Sequence, residues 1–350
     1  MKCIMPSAPS GPCQAYVLYR TPHSTCYHHI RQFSAPLCAT TLQALPQTGG
    51  YVVMPFRVTA ETPIVFIRPD EADCLPLSTC DLPAAAAKTL CTDEAECYRL
   101  YQKSFEAAHT RLERGELAKV VLSRRLHLQG ADFDPHRLFA KACQRRPDCF
   151  VALWYTPQTG HWIVATPEPL LERLDTRWHT VALAGTLPYT ADTPPQWNEK
   201  NRQEQAIVAD FVAAQLQGLA TDIRQSATYS RRTGNIQHLC TDFSFDLPEP
   251  DNVCKLLLRL HPTPAVCGVP REAALAAIAA DEDCSRHYYA GFSGPLGLQG
   301  ETRLYVSLRC MAFDQHMATL YAGGGLMPGS RLADEWEETC RKMQTMMEVL

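Results

Sequence analysis

The chain has 350 residues, 46% of them apolar, enough to bury a large core as one big domain or two closely joined ones. Its net charge is -4, and lysine and arginine are scattered without a basic stripe or interleaved aromatics, so nothing suggests a nucleic-acid groove. No apolar run approaches the roughly 18 residues of a membrane span, and Met1-Lys2-Cys3-Ile4-Met5-Pro6 lacks a signal-peptide core, so a cytoplasmic location is expected.

Sixteen cysteines in a chain of this length read as reduced thiols used as small buried residues. Close Cys-x-x-Cys pairs are absent and His28-His29 has no partner at ligand spacing, which argues against zinc. Residues 1–50 mix Pro, Ser, Cys and His with short apolar pieces such as 15–19, and read as edge strands and loops. Segments 51–56 and 64–67 read as strands from their β-branched and aromatic content. Ala84–Ala87 falls in a connection. Residues 94–114 repeat Tyr98, Tyr101, Phe105, Ala108 and Leu112 at helical spacing and stop near Gly115.

The next strand, 117–128, alternates Val120, Leu122, Leu126 and Leu128 against Lys119, Val121, Ser123 and Arg125. Lys119 therefore guards an open edge or points into a cleft. After a helix near 135–145 come strands at 149–155, 162–165 and 178–184. Between the last two, Pro167 and Pro169 restrict the backbone around Glu168 and make it a rigid mount for a carboxylate. The third ends in Ala184-Gly185-Thr186, a close-approach glycine beside a hydroxyl donor.

A helix from 197 to about 219 has the stripe Ile207, Val208, Phe211 and Val212. Glu204 shares its inward face and needs a partner there: a metal, an arginine, or water at the helix end. Residues 220–234 read as an exposed connection, 236–247 as a strand and 252–260 as a helix. His261 opens an ordered, extended proline loop to 270; a helix covers 271–280, and 288–292 and 302–313 read as strands. No internal repeat or break in composition marks a domain boundary.

The C-terminal stretch reads as a strand from Leu320, a loop of Gly323, Gly324 and Gly325, and a helix capped by Ser330 or Asp334. The glycines let backbone amides face an anion. Glu335, Glu338 and Lys342 share one helix face, beside an apolar stripe of Trp336, Cys340, Met343 and Met347. Two carboxylates beside such a nest suit a hard cation bridging to an acidic substrate. The alternative is a capped surface helix with a solvated Glu338–Lys342 pair.

Taken in order, KVVLSR at 119–124, TPEPLL at 166–171, AGT at 184–186, KNRQEQAIV at 200–208, HPTPAVCGVPR at 261–271, YYAG, SLRC and AGGGL followed by EWEET resemble the chorismate-binding enzymes. The resemblance covers about residues 94–350, the catalytic region, and leaves 1–93 as N-terminal strands and loops of the same fold. It implies an α/β domain in which two β-sheets pack together with helices outside and the active site in the cleft between them. KVVLSR, the alanine before Gly185-Thr186 and HPTPAVCGVPR look like the isochorismate synthase branch of the menaquinone or siderophore pathways.

By that resemblance Lys119 is the base that activates water and Glu168 the acid that protonates the departing hydroxyl. A lysine is a base near neutral pH only when burial or nearby positive charge lowers its pKa from about 10.4. Glu204 and Glu338 match magnesium ligands, with Glu335 supporting through water, and magnesium in turn holds the ring carboxylate of chorismate. Tyr289 and Arg309 match the groups that grip the pyruvyl carboxylate, helped by the Gly323 backbone, and Gly185, Thr186, His261 and Lys342 line the pocket. Relatives with Lys-Glu-x-x-Glu-His differ from Lys200-Asn201-Arg202-Gln203-Glu204-Gln205, so no metal role carries over to Asn201. The chain is expected to be a monomer using Mg2+. Salicylate synthase, which goes on to eliminate pyruvate, and a catalytically silent chorismate-binding subunit are the alternatives.

Overall fold

A computed structural model describes residues 12–46, 49–77, 88–91, 93–130, 133–191, 194–233 and 236–350. The connection expected at Ala84–Ala87 lies outside them. The chain forms β1 (Ala15–Arg20), β2 (Cys26–Gln32), β3 (Leu37–Ala39), β4 (Gly50–Met54), β5 (Ile64–Ile67), β6 (Glu71–Pro76) and β7 (Lys88–Leu90), then helix α1 (Glu94–Glu113). Next come β8 (Lys119–Gly130), α2 (Pro135–Arg145), β9 (Phe150–Thr156), β10 (Gly160–Thr166), β11 (Pro169–Leu174), β12 (Arg177–Pro188) and α3 (Glu199–Leu216). The remainder is β13 (Thr221–Gln225), β14 (Tyr229–Thr233), β15 (Ile236–Asp246), α4 (Asn252–Leu260), β16 (Gly268–Val269), α5 (Arg271–Asp281), β17 (Phe292–Leu296), β18 (Arg303–Val306), β19 (Cys310–Phe313), β20 (Met317–Leu326) and α6 (Leu332–Met347).

The strands make two antiparallel sheets. The first runs β16-β8-β20-β19-β10-β9-β1-β2-β6 with β7 also on β8; the second runs β13-β15-β12-β11-β18-β17-β4-β5-β3 with β14 also on β15. Alternation sorts their faces. Ala152, Trp154 and Val164 of the first sheet join Val52, Phe66 and Phe243 of the second in the main core. Val151, Leu153 and Ile163 point the other way, onto Leu138 and Phe139 of α2. Helix α1 forms because Asp93 caps it at Ala95 N and Tyr101, Phe105, Ala108 and Leu112 bury one face.

Several expectations change. Segment 15–19 is no edge: β1 lies between β2 and β9. The connection expected at 220–234 holds strands β13 and β14, whose polar faces hid them. Residues 288–291 form a turn before β17. Segment 302–313 is two strands, β18 in the second sheet and β19 in the first, separated by a bend in which Arg309 has φ 47°. Gly323, Gly324 and Gly325 continue β20, laddered to Ser123, Leu122 and Val121. Helix α6 starts at Arg331 without a side-chain cap, and Met347 is exposed while Met346 is buried. The described cysteines are free thiols, but Cys13, Cys38, Cys74 and Cys91 are exposed rather than packed inside. Among the described residues no helix is long and apolar enough to cross a membrane.

Lys119 is not at an edge, since β16 pairs with β8 through Val269↔Lys119 and Gly268↔Val120. A Cβ on Gly268 would stand 2.3 Å from Lys119 O, so only glycine allows that approach. Gly268→Ala is expected to push β16 off β8 and cost about 1–3 kcal/mol of stability. Urea denaturation of the purified variant measures this, and an unchanged midpoint would contradict it.

Candidate active site

Two pairs of consecutive strands, β10 with β11 and β18 with β19, are split between the sheets. The chain leaves β10 in the first sheet and enters β11 in the second through Pro167-Glu168; it returns from β18 to β19 through Ser307-Leu308-Arg309. Backbone hydrogen bonds lock the crossings together: Ala165 N donates to Arg309 O at 3.0 Å and Val306 N to Glu168 O at 3.0 Å. Glu168 and Arg309 are thus brought to one cavity, of about 640 Å³ including its open mouth.

Glu168 is 5% exposed. Burial raises its carboxyl from the ordinary 4.5 to about 7, against the pull of Arg309, Lys119, Lys342 and Arg231. Arg309 is also buried, and desolvation works against its charge. Beside it, Tyr289 stacks on Tyr321 with ring centroids 5.6 Å apart.

The carboxylates of α3 and α6 face the same cleft. Lys119, wholly buried, sits just behind the cavity wall with Nζ 3.0 Å from Glu204 Oε1, an ion pair without hydrogen-bond alignment. Its immediate neighbour is thus a carboxylate rather than a cation. Lys342 Nζ holds Glu338 Oε1 at 2.6 Å and donates to Gly323 O at 2.8 Å. Burial opposes the charge of Glu338, but Lys342 and then Lys200 outweigh it and hold that carboxyl low. Glu335 lies deeper: Lys200 and Ser330 donate to Oε1, while Oε2 is buried without a partner. Burial and the Glu338 charge raise the Glu335 carboxyl.

The glycine triplet makes room for these side chains. Added Cβ atoms would fall 2.7 Å from Tyr289 Oη at Gly323, 3.0 Å from Glu335 Oε2 at Gly324 and 2.3 Å from Glu204 Oε1 at Gly325. Gly185 (φ 70°) and Thr186 line the cavity at a register shift in β12. His261 does not reach it. Its Nε2 meets Pro55 O at 3.1 Å and its ring packs edge-on to Phe292, while Ala265 and Val266 are what its loop gives to the cavity. Burial pushes the His261 imidazole down to about 4, as befits a packed, neutral ring.

His238, read only as part of a strand, lines the cavity instead. Its Nδ1 lies 2.8 Å from Gly185 O, a pure acceptor, so Nδ1 carries the proton and Nε2, buried without a partner, offers a lone pair. Burial and Arg309 hold this imidazole down at about 3, hence neutral. The signal was available: a titratable side chain inside an otherwise buried strand. Lys200 was also passed over, although it neutralises Glu335.

A family model described as chorismate binding enzyme matches residues 72–350. The chain belongs to that family. Among relatives, isochorismate synthase DhbC of Bacillus subtilis is 30% identical over 267 residues, covering 71% of this chain and 67% of that one. Isochorismate synthase MenF of Escherichia coli is 31% identical over 246 residues; the alignment covers 68% of this chain and 57% of that relative's length. The structure of MenF, the menaquinone-specific isochorismate synthase from Escherichia coli, superposes with a TM-score of 0.80 at 22% identity, over 97% of this chain and 90% of that one. The family fold of two packed sheets with outer helices is therefore the one found here.

Because folding raises the carboxyl of Glu168, the native state keeps a proton that the unfolded chain releases. Stability from this group is therefore lost as pH rises from 4.5 to about 7. Glu168→Gln removes the dependence: wild type should lose on the order of 3 kcal/mol relative to the variant between the two ends of that window. Denaturation curves at both ends measure it, and parallel losses in the two proteins would refute the buried acid.

Proposed function

We propose that this protein is an isochorismate synthase, converting chorismate to isochorismate by adding water at C2 and releasing the C4 hydroxyl. The observation that carries the reading is Glu168: a buried carboxyl held up to about 7, in a cavity whose other walls carry cations and a lysine-paired carboxylate. The names of the relatives support it.

In this reading Lys119 leaves its ion pair with Glu204, gives its extra proton to solvent, and as the free amine takes the proton from water as it attacks C2. The ring double bonds shift, the C4–O bond breaks, and the Glu168 proton leaves with the C4 oxygen as water. Arg309 binds the pyruvyl carboxylate with two parallel bonds, where a lysine would act only as a point charge. Tyr289 Oη and the Gly323 backbone sit beside that grip, and Lys342, Gly185 and Thr186 line the ring.

The residues present fit magnesium. Glu204 and Glu338 are oxygen donors at one cavity, and the orphaned Oε2 of Glu335 lies behind them for a bridging water. Among the described residues no three His, Cys, Asp or Glu groups converge tightly enough to hold a metal by themselves. That matches an ion that keeps several waters and takes one or two carboxylates plus substrate. Bound magnesium supplies positive charge against the ring carboxylate of chorismate.

The scheme is read for a monomer, as the family resemblance implies, and the free thiols of the described cysteines support a cytoplasmic enzyme. Residues 94–350 supply every group in this scheme, and strands β1–β7 before them complete the two sheets.

Lys119→Ala and Glu168→Gln should each lower kcat by about 10²- to 10⁴-fold with the fold intact. Wild-type kcat should also decline above a pH of about 7, as Glu168 loses its proton, and the limb should be missing in Glu168→Gln. Initial rates of chorismate consumption with magnesium across pH test this; near-wild-type rates in either variant would remove the assigned roles.

A further inference from the structure

Strand β8 carries Lys119 into the site, yet one of its sides is only partly paired. β16 covers Lys119 and Val120, and β7 returns only at Leu128–Gly130. Between them the backbone needs partners, since unpaired buried peptide groups are costly. Val121 N finds Cys267 O at 2.7 Å. The next two groups are met by an ion pair rather than by a strand. Glu282 Oε1 accepts from Ser123 N at 2.7 Å, and Arg286 Nη2 donates to Val121 O at 2.7 Å.

Both side chains are almost wholly buried and hydrogen-bonded to each other, with Nε to Oε2 at 2.8 Å. Arg286 reaches further. Its Nη1 donates to Val266 O at 2.7 Å, its guanidinium lies 4.3 Å from the Phe56 ring centre, and its own carbonyl accepts from Tyr289 N at 2.9 Å. Val121, Val266 and Tyr289 all line the active-site cavity. Arg286 thus joins three separate pieces of its wall, two through its guanidinium and the third through its backbone carbonyl.

We propose that the Glu282–Arg286 ion pair is the positioning device of this site: it stands in for a missing strand along β8 and sets where Lys119 and Tyr289 meet the cavity. Neither residue touches the cavity itself, so both act through others. A planar fork is required because three acceptors at different angles must be served, which an ammonium cannot do in the same place.

The test is amide hydrogen exchange read by mass spectrometry, with steady-state kinetics, on wild type and Arg286→Lys. Exchange is expected to speed up roughly 10-fold or more in segments 119–124 and 286–290 and to stay unchanged in β1 and β9. In the same variant kcat should fall on the order of 10²-fold, as for a misplaced catalytic group, with little change in KM. Should Arg286→Lys fail to fold, Glu282→Gln carries the same test: it keeps an acceptor for Ser123 N and removes the charge that orients Arg286. Unchanged exchange at 119–124, unchanged kcat, or a uniform rise across all strands would overturn the proposal. The kinetic arm rests on the isochorismate synthase reading. If wild type itself leaves chorismate untouched, that reading fails while the exchange pattern still decides the positioning.

Discussion

The molecule turns on a pair of backbone hydrogen bonds where two strands change sheets together. Ala165 N to Arg309 O and Val306 N to Glu168 O hold the outgoing and returning chains in register as they pass from one sheet to the other. Neither crossing could be buried alone without leaving polar backbone unpaired. Joined, they put an acid and a guanidinium on the cleft floor, with the main hydrophobic core around them. The proline on each side of Glu168 and the positive φ of Arg309 are the local means of making these bends.

Charge in the cleft follows a simple division. Three carboxylates have a lysine each: Glu204 with Lys119, Glu338 with Lys342, Glu335 with Lys200. Glu168 forms no ion pair among the described residues, and burial is left to dominate, so it combines full burial with titration near neutrality. Acid and carboxylate roles are thereby separated by environment rather than by residue type. The same low-dielectric setting makes the neutral His238, with its free Nε2, a hydrogen-bond acceptor at the cavity wall.

Much of this was legible in the sequence because periodicity reports burial. Helix α1, strand β8 and helix α2 follow directly from their apolar spacing, and order-specific motifs located nine of the lining groups, Glu168, Glu204 and Arg309 among them. What alternation does not report is which sheet a residue belongs to. Residues 302–313 alternate as one strand would, and only pairing with β11 on one side and β10 on the other shows the break at Ser307–Arg309. A further reason for the glycine triplet, the space taken by Glu204, Glu335 and Tyr289, was not legible because it comes from residues distant in sequence. His261 and His238 show the same limit: a conspicuous histidine in a proline loop turned to Pro55, and an inconspicuous one in a strand turned to the site.

The central claim is that this cleft adds and removes one water on chorismate and stops there. The measurement that tests it most directly is product identification by chromatography and mass after incubating the purified protein with chorismate and magnesium, with a parallel assay for pyruvate and a chelator control. The account predicts an isomer of unchanged mass, no pyruvate, and no conversion with chelator. Salicylate formed with stoichiometric pyruvate, or chorismate recovered intact, would contradict it.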